Sequence, residues 1–295
     1  MIKINKEKLV MIAVQGEISH PLTFYPYDVS RKGEVIYTLP EGCLGIHYNV
    51  KVGDSAFGWQ ADHIEPGVTV VFSQKEEKRE EFYGFRIPVC IGNIGKVISG
   101  EAKGEKGIVT GIHTGILVDF PQDTLEKLAI GDKVLIKAYG MGLELLNFKE
   151  IKVLNISPDL LERICEEDEE KNTLKIRVRK EIPPELMGSG IGVISSSYVD
   201  YDIMTSDEET LEEYGLWDLK LGDIVAIRDH FSSFGPCYKK GAITIGVVVH
   251  GDSKISGHGP GVLPIISSPS KEKIEIIFEE YANIGFYLNC GTFRK

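Results

Sequence analysis

The chain is short of positive charge: 33 Lys and Arg stand against 44 Asp and Glu, for a formal net charge of -11. That balance opposes long-range attraction of phosphates, so nucleic acid is not an expected partner. Long apolar runs are also missing. None approaches the roughly 18 residues of a membrane span, and "MIKINKEKLVMIAV" has neither a sustained apolar core nor a small-residue cleavage site. A cytoplasmic protein with no membrane partner is expected. The five cysteines, Cys43, Cys90, Cys165, Cys237 and Cys290, lie far apart without Cys-x-x-Cys spacing, and an odd number cannot form a complete disulfide set. They read as reduced thiols. The Gly-Lys-Ser/Thr phosphate loop, the Gly-x-Ser-x-Gly elbow and the short zinc motifs are absent. Ser253 and Ser256 therefore read as turn residues rather than nucleophiles.

What is present is glycine and short apolar runs. Thirty-two glycines punctuate Val- and Ile-rich segments, the pattern of mostly β-structure with tight turns. The predicted class is mainly β, in two β-rich domains with a few short helices. A barrel-like N-terminal domain is expected over 1–157, and a β-sandwich or barrel-like C-terminal domain over 158–295. Early strands are predicted at "KLVMIAV", "GEVIYTL", "LGIHYNV", "GVTVVFS", "KGIVTGIH", "GILVDF", "DKVLIKAY" and "EIKVLNI". "KEEKREE" (75–81) reads as a solvated loop or short helix face. Ser157 and Pro158 open a helix over "DLLERICEEDEEK", which links the two parts. Further strands are predicted at "TLKIRVRK", "GIGVISS", "GDIVAIRD", "AITIGVVVH", "KIEIIFEE" and "NIGFYL". Ser206 and Glu209 have capping-box spacing.

The densest chemistry is "HGDSKISGHGPG", residues 250–261, which follows the run "GAITIGVVV" directly. Two His, one Asp and four Gly in 12 residues exceed what a plain connection needs. His250 stands where a buried strand ends, and Asp252, two residues on, shares its face if the chain stays extended. The glycines permit positive φ and close approach of backbone to a ligand. "YVDYDIMTSD" places Asp200 and Asp202 on one face, a carboxylate pair that a cation would answer. In "AIRDHF", Arg228 and His230 share a face.

Convergence of these segments would make a mixed oxygen and nitrogen site suited to a divalent transition metal. Asp202, His250 and His258 are the expected ligands, Asp252 or His230 the proton carriers. Lys254 or Arg228 would hold an anionic substrate group, with Gly257 and Gly259 shaping the substrate loop. The expected activity is metal-assisted hydrolysis of a small amide or related carbonyl compound. The alternatives are a non-catalytic small-anion or metabolite carrier and a structural or assembly protein. A homo-oligomer is expected. Two N-terminal clusters read differently. "HYNVKVGDSAFGWQADHIEPG", with Asp62 and His63, reads as a packed loop or subunit contact built on Phe57 and Trp59. "IGNIGKVISGEAKGEKGIVTGIHTG" reads as glycine-punctuated hairpins.

The segments "VGDSAFGWQADHIEPG", "LVDFPQDTLEKLAIGDKVLIKAYGMGLEL", "PPELMGSGIG", "YDIMTSD" and "KKGAITIGVVVHGDSKISGHGPGV" together resemble the prokaryotic family called domain of unknown function 4438. The resemblance implies a two-part, mainly β protein and transfers no catalytic assignment. A more distant likeness, confined to "EPGVTV" and to a Gly-Asp-rich loop after a buried strand, is to acetamidases and formamidases, β-rich metal-assisted amide hydrolases. It carries over no ligand residue by residue.

Overall fold

The computed structural model describes residues 2–21, 26–37, 42–73 and 79–295. Its first half is organised by six strands whose apolar faces have nowhere to go but inward. β1 (Ile12–Ile18), β2 (Val68–Val71), β3 (Ile94–Val97), β4 (Lys106–Ile112), β5 (Ile116–Asp119) and β6 (Lys133–Ala138) close a barrel in the order β1-β2-β5-β4-β3-β6. Every seam is antiparallel. Ile18, Val70, Val97, Val109, Val118 and Ile136 fill its interior, as the two-residue alternation of strands requires.

The second half is built on β7 (Lys180–Ile182), β8 (Tyr201–Asp202), β9 (Ile224–Phe231), β10 (Cys237–His250) and β11 (Gly261–Ser268), ordered β7-β9-β10-β11-β8. Lys152–Val153 adds to β11. A smaller sheet pairs Cys165–Asp168, Thr173–Val178 and Ile274–Phe278. The mainly β class with a barrel in the first half holds.

One apolar cluster spans both halves, joining Ile112 and Leu117 of the barrel to Val247, Val249 and Leu263 of the sheet. Gly111 makes that contact possible. A Cβ there would lie 2.7 Å from Val249 Cγ1, so only a residue without a side chain lets β4 approach β10 this closely. The ends of those two strands, at His113 and His250, are thereby brought side by side.

Several local expectations are corrected. Ser157 caps a helix, accepting from Leu160 N, but the helix is only Pro158–Ile164. The acidic stretch after it is the strand Cys165–Asp168, hairpinned onto Thr173–Val178 and tied by Lys175 to Asp168 at 2.8 Å. Helix Glu208–Glu213 is capped by Asp207, not Ser206, because the Asp207 carboxylate accepts from Thr210 N. "NIGFYL" contains helix Ile284–Leu288, started by Asn283 accepting from Gly285 N. "LGIHYNV" and "GIGVISS" form no strand. Residues 75–78 of the charge run lie outside the described residues, and helix Arg79–Arg86 follows them. Among the described residues no helix is long and apolar enough to cross a membrane.

Candidate metal centre

The loop of residues 251–260 joins β10 to β11, with His250 paired opposite Gly261 across its neck. Edge strand β8 lies beside it, Tyr201 opposite Val262 and Asp202 opposite Gly261. Because successive strand residues face opposite ways, Asp200 and Asp202 turn together toward His250 while Tyr201 turns away. His250 Nε2 lies 3.0 Å from Asp200 Oδ2 and 3.5 Å from Asp202 Oδ1. His258 returns from the loop to place Nδ1 2.9 Å from Asp202 Oδ2.

The first half supplies two more imidazoles. His113 follows β4, and its ring centroid is 4.1 Å from that of His250. His63 sits on a turn with φ of 49°, the left-handed region that non-glycine residues enter at a cost of about 1–3 kcal/mol. Backbone hydrogen bonds hold that turn against the residue 250 loop: His63 N to Asp252 O at 3.1 Å, Gly251 N to Ile64 O at 2.9 Å and Asp252 N to Ala56 O at 2.8 Å. His63 Nε2 then comes within 3.0 Å of His258 Nδ1 and 3.8 Å of Asp202 Oδ2.

Oxygen acceptors fix the other nitrogen of three of these rings. Nδ1–H of His63 donates to Asp62 at 2.6 Å, that of His113 to Glu65 at 2.8 Å and that of His250 to the Gly251 carbonyl at 2.9 Å. In the neutral rings this leaves Nε2 as a lone pair, the orientation that a metal-binding histidine requires. Glu65 is wholly buried and also accepts from Leu44 N, Thr69 Oγ1 and Thr114. Burial alone would raise its pKa, but His113 and these donors overcome it and hold the carboxyl at about 2. Asp62 accepts from Ser253 Oγ and Lys254 N as well, which braces His63 from behind.

Two groups of three ligand atoms emerge, each able to hold a metal ion: His63, Asp202 and His258, and His113, Asp200 and His250. Cys43, Glu65 and His113 form a third, but the Glu65 oxygens are already committed to protein donors. Burial would raise Asp202, yet His250, His258 and His63 together hold it well below the usual carboxylate range. Burial would likewise lower His250, and Asp200 and Asp202 outweigh it, raising the imidazole well above its usual value. Among the described residues, the ion-pair partners of Asp200 and Asp202 are imidazoles. His63, His113, Asp200, Asp202 and His258 line the floor of a cleft of about 410 Å³, with Tyr198, Ser189 and Thr114 on its walls.

The residues expected from sequence are only partly gathered here. Asp202, His250 and His258 converge, with Asp200 beside them. Asp252 does not meet His250: its Oδ1 accepts from Thr205 Oγ1 at 2.7 Å and Arg31 lies 4.0 Å away. The chain leaves the extended conformation at Gly251, so the shared face is lost. Gly259 N donates to Asp202 Oδ2 at 3.4 Å, and the Gly257 carbonyl accepts from Ser189 N at 2.8 Å, so both glycines brace the cluster. Lys254 contributes its backbone N–H to Asp62. His230 stacks on Tyr201, 5.7 Å between centroids, on the face of the sheet away from the cluster. Arg228 is engaged by Glu181 and Tyr214. His63 and His113 are the residues that sequence reading assigned elsewhere.

The fold and cluster define a class: a barrel joined to an open sheet, with a histidine and aspartate centre at the junction. Domain of unknown function (DUF4438), N-terminal, matches residues 27–162, and DUF4438, C-terminal, matches 164–288; the chain belongs to this family. It is also similar to a solved protein described as "Crystal structure of TM1086", with 47% identity and a TM-score of 0.89, over 97% of this chain and 99% of that one. No curated protein matches the chain.

Proposed function

We propose that the protein is a metal-assisted hydrolase of a small polar substrate, an amide or related carbonyl compound. The observation that carries this reading is the meeting of four imidazoles and two carboxylates beside a cleft large enough for a small molecule, three of the imidazoles and both carboxylates lining it and His250 buried behind them. A divalent ion held by His63, His113, His250, His258, Asp200 and Asp202 would supply Lewis-acid chemistry, activating water and polarising a carbonyl for hydrolysis to an acid and an amine. Asp62 and Glu65 keep His63 and His113 in the ligating tautomer, while Thr205 and Arg31 keep Asp252 as a support for the His63 turn. Ser189 and Thr114 offer hydrogen-bonding groups beside an otherwise largely apolar lining that includes Phe82, Val193 and Val199.

The test is a screen of small amides, lactams and esters with protein stripped by chelation and then reloaded with Zn2+ or Mn2+. The expected result is turnover that disappears on stripping and returns with metal. Saturable ligand binding with no turnover of any member would instead favour a metabolite carrier.

A further inference from the structure

We infer that the cluster is a two-ion centre, one divalent transition-metal ion in each histidine and aspartate triad, with Asp202 bridging them. The inference rests on the metal-binding reading above and deepens it. Three independent observations carry it.

The two triads share no residue. One ion would leave three of the six ligand side chains idle, yet His63 is held on a left-handed turn, and His63 and His113 are braced from behind by the half-buried Asp62 and the buried Glu65. Such bracing is what metal-binding histidines receive from their outer partners.

Asp202 is placed to serve both triads at once. Its Oδ2 faces His258 Nδ1 at 2.9 Å and His63 Nε2 at 3.8 Å, while its Oδ1 faces His250 Nε2 at 3.5 Å. One carboxylate with an oxygen turned to each triad is the geometry of a bridge. Its two oxygens and the paired triads match the general plan of two-metal hydrolytic sites.

Each triad also brings its donor atoms together around one point. In the first, His63 Nε2, His258 Nδ1 and Asp202 Oδ2 lie within 3.8 Å of one another. In the second, His250 Nε2 and Asp200 Oδ2 form a close ion pair at 3.0 Å, on side chains that are 0% and 7% exposed. Burying such a charge pair carries a desolvation cost that a further partner at the same point would offset. Gly261 keeps the space beside that pair open, since a side chain there would collide with both His250 Nε2 and Asp200 Oδ2. The nitrogen and oxygen donor set favours Zn, Mn or Fe over calcium, which takes oxygen alone.

The test loads chelator-stripped full-length protein with Mn2+ or Zn2+, removes excess ion by gel filtration, and measures metal per chain by elemental analysis, with electron paramagnetic resonance on the Mn2+ form. Two equivalents and a spin-coupled Mn2+ pair are expected. His258→Ala and His113→Ala should each retain about one equivalent and lose the coupling, and Asp202→Asn should abolish coupling. Should either alanine variant fail to fold by circular dichroism, His258→Gln and His113→Gln replace them, and the wild-type stoichiometry and coupling still decide. One equivalent in the wild type, lost entirely in both single variants, would overturn the two-ion centre and leave a one-ion hydrolase standing. Two uncoupled ions would overturn the bridge. No retained metal would overturn both readings.

Discussion

Asp202 and Asp223 are both buried carboxylates, and they behave in opposite ways. Asp223 accepts from Lys220 N and Asn283 Nδ2, each at 2.8 Å, with Arg179 Nε 3.0 Å away. Burial prevails over these partners and pushes its pKa up to about 6. Asp202, equally enclosed, is held low by three imidazoles. Neutral amide donors and one shared guanidinium stabilise a turn without fully supporting the ionised acid; a ring of imidazoles keeps the acid charged. The first arrangement serves the fold. The second places anionic oxygens and nitrogen lone pairs around common points, an arrangement that makes sense when a cation arrives.

The sharpest way to break this contrast is to remove a structural acid from beneath the centre. Glu65→Ala leaves His113, Leu44 N, Thr69 and Thr114 without their buried acceptor, and should lower unfolding stability by about 3–5 kcal/mol in chemical denaturation. Asp223 gives the next largest effect, and a signed one. Its folded pKa lies above the 3.8 of the free acid, so the native state favours the protonated form. The Asp223 contribution to stability therefore declines as pH rises from about 4 to 6, by up to about 3 kcal/mol. Asp223→Asn should flatten that part of the stability profile, and an unchanged slope would contradict the assignment.

Asp200→Asn removes the charge partner that lies 3.0 Å from buried His250 Nε2, so metal-free stability should fall by about 1–3 kcal/mol, while the metal content read by elemental analysis falls by about half. Arg228→Ala is the smallest change. Its ion pair with Glu181 is partly exposed, 37% and 31%, so about 0–1 kcal/mol is expected in a thermal melt, with metal content untouched.

The C-terminal members of the cluster were legible because their spacing is local. Asp200 and Asp202 are two apart on one strand edge, and His250 ends a run with no polar alternation, so period and position were enough. His63 and His113 were not, because their neighbours lie in the other half of the chain, and only the approach of Gly111 to Val249 brings them together. A signal did exist for one of them. "GIVTGIH" ends in histidine at the close of an apolar strand just as "ITIGVVVH" does, and treating the two strand ends as a pair would have found His113. His63 carried less: the aromatic residues around it pointed to packing, and its left-handed turn is invisible in composition. Asp252 and His230 misled for a shared reason. Both depend on whether a strand stays regular, and the chain bends at Gly251 while Tyr201 separates His230 from the cluster.

The most direct measurement is anomalous diffraction from crystals grown with Mn2+ or Zn2+, recorded on both sides of the metal absorption edge. The account predicts two peaks at the junction of barrel and sheet, one within the His63, Asp202 and His258 triad and one within the His113, Asp200 and His250 triad. Anomalous peaks confined to surface carboxylates, with none among these six side chains, would contradict it.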